Sequence, residues 1–145
     1  MLLGFKRRFE APILAKTKRH TIRGKRKIAP RVGEICHCYV DPRQKTMRLL
    51  GRWPCVRVQK IEIFFARLPG FPNRVFIDGQ RLSMDECERL ARSDGFASFE
   101  EMMDFWSGRL PFVGDIIHWD PDAKTAALSN SRTSRPSGGP TKKES

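Results

Sequence analysis

Apolar positions in this chain fall into short clusters separated by charged or turn-forming residues. Each cluster has the period of a strand or of a short helix. Leu2–Phe5 predicts an opening strand. Residues 9–16 predict a helix with Phe9, Ile13 and Leu14 turned inward, and Pro12, tolerated only in a first turn, sets its start near Ala11. Thr21-Ile22-Arg23 is a short strand, and Pro30-Arg31-Val32-Gly33-Glu34 a turn into the strand Ile35–Val40. After the turn at Asp41-Pro42-Arg43-Gln44, residues 46–50 and 55–65 are strand-like. In the second of these, the step from Val58 to Ile61 breaks the alternation of Val56, Val58, Ile61 and Ile63, which predicts a bulge near Gln59-Lys60. Residues 66–74 form a loop and 75–77 a further strand.

The next two elements carry helix punctuation. Ser83-Met84-Asp85-Glu86 is a capping box, Cys87, Leu90 and Ala91 share one face, and Gly95 is a stop. Ser98-Phe99-Glu100-Glu101 repeats the box and opens a helix with Met102, Phe105 and Trp106 inward. A last strand covers 115–119. From there the pattern ceases, and residues 121–145 read as a disordered basic tail. About six strands and three short helices without regular alternation exclude a doubly wound parallel sheet. They predict one α+β domain over residues 1–120, built on a small, strongly bent sheet or barrel.

With 145 residues the chain supports a single core. No apolar run approaches the roughly 20 residues of a membrane span, and MLLGF is too short for the apolar region of a signal peptide. Both points exclude a membrane role and predict a cytoplasmic protein. Cys36, Cys38, Cys55 and Cys87 form no C-x-x-C pair, and on a strand Cys36 and Cys38 share a face from which His37 is absent. The expectation is buried thiols, with no metal and no cofactor.

Charge changes the picture most. Lys and Arg number 28 against 16 Asp and Glu, a net charge of +12. Residues 1–60 hold 17 basic and 3 acidic residues, whereas residues 61–120 hold 6 and 11. Seven of the twelve residues 16–27 are basic, and they interrupt structure instead of trailing from it. A surface that holds a phosphate backbone or a nucleotide is the expected meaning. Lys16, Arg19, Arg23, Lys25, Arg26, Lys27 and Arg31 are its candidate cations. Trp53 and Tyr39 are candidate stacking groups. On a strand, Arg19, Thr21 and Arg23 share a face, and Lys18 joins them only from the preceding turn. A structural pairing of Arg23 with Asp94 or Glu34 is the competing expectation.

Lys18-Arg19-His20-Thr21-Ile22-Arg23 resembles the G-x-K-x-x-T-I-R stretch of ASCH domains, members of the PUA-like superfamily. The apolar Ile13-Leu14 before it and the Pro30–Glu34 turn after it fit the same order. So do 90–96 with 98–102, and 112–119, so the resemblance spans about residues 2–119. It implies a six-stranded β-barrel-like core with helices, and a cleft that binds RNA or a nucleotide. Some ASCH members are amidohydrolases that remove the acetyl group of N4-acetylcytidine with a Lys, a Thr and a Glu. Those positions fall on Lys18, Thr21 and, one methylene shorter, Asp94. The motif's Gly is Lys16 here. The resemblance thus implies an RNA or nucleotide binder first and an amidohydrolase acting on a modified nucleoside second. A ribonuclease using His20 or His118, or a protein-interaction module, ranks third.

Overall fold

The computed structural model describes residues 1–123, and the expected tail lies outside them from residue 124 onward. Seven strands form one mixed sheet: β1 (Leu2–Phe5), β2 (His20–Gly24), β3 (Ile35–Val40), β4 (Arg48–Phe64), β5 (Arg74–Ile77), β6 (Gln80–Arg81) and β7 (Phe112–Trp119). The helices are α1 (Glu10–Leu14), α2 (Met84–Ser93) and α3 (Phe99–Trp106). The α+β class and three helices stand. The strand count is seven: the stretches 46–50 and 55–65 merge into β4, and Gln80–Arg81 adds a short hairpin partner to β5.

The organising element is β4. Residues 46–50 and 55–65 were separated in the sequence by Gly51-Arg52-Trp53-Pro54, but most of this stretch is one strand of 17 residues. Its first half pairs antiparallel with β3, and its second half pairs with β7 on one side and β5 on the other. Its register shifts twice, at Leu50 between the Gly51 and Leu49 pairings with β3, and between Cys55 and Arg57, where the strand passes from β3 to β7. The bulge expected at Gln59-Lys60 is absent, and both residues pair regularly. Ile61 and Ile63 face the core, while Val56 stands exposed on the other side.

β1 pairs parallel with β3, and β2 pairs antiparallel with β7. β1, β2 and β6 each carry one ladder partner, so among the described residues the ladders trace an open sheet. Two side chains cross the gap between β1 and β2: Arg23 Nη2 donates to the Gly4 carbonyl at 2.6 Å and Arg26 Nη2 to that of Leu2 at 3.3 Å.

The helices and the sheet share one core, in which Leu3, Ile13, Ile61, Ile63, Met102 and Ile117 are fully buried. Leu14 is exposed, since five residues of helix turn only one face inward. Cys36 and Cys38 lie in this core, where burial pushes both thiols up to about 12. No described helix is long and apolar enough to cross a membrane.

Candidate functional site

Two helix ends build the site. At the end of α1, Lys16 N–H donates to the Ile13 carbonyl and Thr17 N–H to that of Pro12. At the end of α2, Gly95 N–H donates to Arg92 and Phe96 N–H to Ala91. Both are Schellman turns, which place a left-handed residue just past the helix. That residue is Gly95 in α2, at φ +101, where a Cβ would also press on the Phe9 ring. In α1 it is Lys16, at φ 64. The departure from Gly noted in the sequence therefore keeps the backbone turn that Gly favours.

The first turn releases Lys18 from the loop before β2, and the second leaves Asp94 as the last residue of α2's end. They meet. Lys18 Nζ donates to Asp94 Oδ1 at 2.6 Å and to the Asp94 backbone carbonyl at 2.7 Å. The aspartate, one methylene shorter than the expected glutamate, reaches the lysine fully. A cation here also meets the negative end of the α2 dipole. Lys18 is 2% exposed and Asp94 5%. His20 Nε2 lies 3.2 Å from the same Oδ1, off the line of a good hydrogen bond.

Burial pulls the Lys18 ammonium below its usual range, and Arg23 adds to this while Asp94 opposes it. Burial works against the Asp94 carboxylate too, yet Lys18 and His20 outweigh it and hold the group below the usual carboxyl range.

Beside the pair opens a half-enclosed cavity of about 240 Å³. Lys18, Thr21, Arg23 and Asp94 line it, with Phe5, Phe9, Phe96, Phe105 and Trp106 as aromatic walls and Lys6 and Arg109 as two further cations. Thr21 and Arg23 share a face of β2 as alternation requires, and Lys18 joins from the turn. Arg23 Nε donates to Thr21 Oγ1 at 3.0 Å, and the guanidinium lies 4.8 Å over the Phe5 ring. Arg23 pairs with neither Asp94 nor Glu34. Gly114 of β7 lets β2 approach closely, because a Cβ there would run into the Arg23 carbonyl.

The other predicted residues lie outside this cavity. Lys16 and Arg19 both reach Asp122, at 3.0 Å each. Lys25, Lys27 and Arg31 are exposed, and Arg26 serves the Leu2 carbonyl. The Trp53 ring stacks on Trp119, 6.2 Å between centroids and 13° from parallel, and lies across Gly51. Tyr39 is half-buried on β3. His118 pairs with Gln59 at 2.8 Å and lies 5.3 Å from His20, ring to ring. Trp106, assigned to the core by its helical spacing, also lines the cavity. Phe9 and Phe105 were expected only to face inward, and Lys6, Arg109, Phe5 and Phe96 had no expected site role, because nothing in their spacing separates a cavity wall from ordinary packing.

No family model matches the chain, and neither a curated protein nor a solved structure does.

Proposed function

We propose that this protein is an ASCH-type module that binds a single nucleotide unit, free or within RNA, in the cavity between β2 and the end of α2. The observation that carries the reading is the convergence of Lys18, Thr21, Arg23 and Asp94 in one aromatic-walled cavity. Aromatic walls suit the faces of a base, and the polar cluster offers donors and acceptors to its edge. At about 240 Å³ the cavity lies just below the roughly 300–1,000 Å³ of drug-sized sites, which fits one base better than two. Exposed Lys25 and Lys27, which follow Arg23 in the chain, provide a charged path for neighbouring phosphates. The open sheet, with arginines bridging β1 and β2, is read as a PUA-like barrel whose seam is made by side chains.

One observation favours a second reading, hydrolysis of an acylated nucleoside. Asp94 reaches Lys18, and burial lowers the lysine, so the family's lysine–acid contact is present beside Thr21. That chemistry needs Lys18 to give up its proton first: Thr21 Oγ1 then attacks the amide carbonyl, the Lys18 amine takes the hydroxyl proton and returns it to the leaving amine, and water releases the acyl group from Thr21.

Short fluorescent RNAs titrated against the wild type and Arg23→Gln across a salt series test binding. Wild-type affinity is expected to fall steeply with salt, and the variant, checked for melting temperature and monodispersity, to lose about tenfold or more. Equal affinity in a folded, monodisperse variant sinks the binding site. Incubation with N4-acetylcytidine, followed by chromatography for cytidine, tests the second reading. Turnover abolished by Thr21→Val supports it, and absence of turnover in the wild type removes it.

A further inference from the structure

We infer that the cavity contains a phosphate subsite formed by Arg23, Lys6 and Arg109, so that its ligand is a phosphorylated nucleotide and not a free nucleoside. This rests on the nucleotide-unit reading and joins Lys6 and Arg109, which lie outside the basic run 16–27, to its Arg23.

The argument begins with charge. The cavity lining holds four cations, Lys6, Lys18, Arg23 and Arg109, against one carboxylate, Asp94. Asp94 is committed to Lys18 through both its side chain and its carbonyl. The remaining three cations make no ion pair with a carboxylate among the described residues. Arg23 is the informative one. Its guanidinium is partly withdrawn from water, and its contacts are a carbonyl, a hydroxyl and an aromatic ring, none of them an anion. Even a half-buried cation without a counter-charge carries a desolvation cost that an anion would offset.

The other two cations are held by the same wall. Lys6 Nζ lies 5.2 Å from the centre of the Phe105 ring, and the Arg109 guanidinium lies 5.0 Å from that centre and 5.7 Å from that of Trp106. Local structure fixes both backbones. Lys6 follows the last residue of β1, and its carbonyl accepts from Phe9 N–H, while Arg109 N–H donates to the Trp106 carbonyl at the end of α3. The indole N–H of Trp106, itself 5% exposed, has no acceptor among the described residues. A cavity with three uncompensated cations and a spare donor matches a group with several acceptor oxygens and at least one full charge. Phosphate has both, and arginine forks fit its oxygens two at a time.

Calorimetric titration tests this with four ribonucleosides, their 5′-monophosphates, inorganic phosphate, and trinucleotide RNAs lacking terminal phosphates. The 5′-monophosphate of the preferred base is expected to bind at least about tenfold tighter than its nucleoside. In Lys6→Ala/Arg109→Ala, two exposed positions, that preference is expected to shrink to about threefold or less. Preference for the monophosphate over the trinucleotide assigns the subsite to a phosphomonoester, and the reverse to the chain's diester. Equal binding of nucleoside and monophosphate overturns the subsite while leaving the base pocket standing. So does a preference that survives the double substitution. If inorganic phosphate binds and is lost in the double variant while no nucleoside or nucleotide binds, the subsite stands and the nucleotide reading falls. If nothing binds, both fall.

Discussion

Two buried residues decide whether this site exists. Lys18 and Asp94 have withdrawn opposite charges from water, and each is acceptable there only because of the other. Removing one partner costs far more than the pair contributes as a whole, because the survivor keeps its desolvation penalty. Asp94→Asn is therefore expected to destabilise the protein by roughly 3–5 kcal/mol, read from urea denaturation. The Asp94 carbonyl, which also accepts from Lys18, places the outcome toward the lower figure. A loss below about 1 kcal/mol, the value of an exposed pair, contradicts this account.

At the scale of elements, helix ends are the working parts. Lys16 occupies a left-handed position that costs an ordinary residue about 1–2 kcal/mol relative to glycine. Glycine returns some of this through its freer unfolded state. Lys16→Gly is thus expected to stabilise the protein by about 0.5–1 kcal/mol, seen as a rise in melting temperature. The exposed contact with Asp122 subtracts little. A drop in melting temperature contradicts the turn argument. These ends were largely legible beforehand. Ser83 and Glu86 close a full capping box, and Gly95 stops α2. At α3 the carboxylate of Glu101 instead accepts from Ala97 N–H, one residue earlier than the motif predicts. The continuity of β4 was not legible. Gly51 and Pro54 carry break signals, yet Gly51 is there to admit the Trp53 ring, and Pro54 lies beside the point where the strand changes partners. For the site, Lys18, Thr21 and Arg23 were visible as a motif. Asp94 came from the resemblance. Lys6 and Arg109 reach the cavity only through tertiary packing of segments about a hundred residues apart.

At the scale of the whole molecule, acid stability separates buried groups by their windows. Burial, with His20 and Arg57 nearby, lowers His118 from its ordinary 6.5 to about 4. Between these values the unfolded chain binds the extra proton, so stability rises with pH through the window and is lost as pH falls from 6.5 toward 4. Allowing for partial exposure, the loss is about 1–2 kcal/mol. Asp94, held low by Lys18 and His20 against its burial, adds a second loss only below the ordinary carboxyl range. Urea midpoints between pH 7 and 4 should therefore fall in the wild type and stay flatter in His118→Gln; parallel curves contradict the assignment. β1 turns the carbonyls of Leu2 and Gly4 away from β3, toward the side where it has no ladder partner. Such a row is a template on which a strand from another molecule adds. Arg26 and Arg23 occupy those two oxygens. Two of the cations in the basic run thus double as edge guards, covering acceptors on which a neighbouring molecule's strand would otherwise pair.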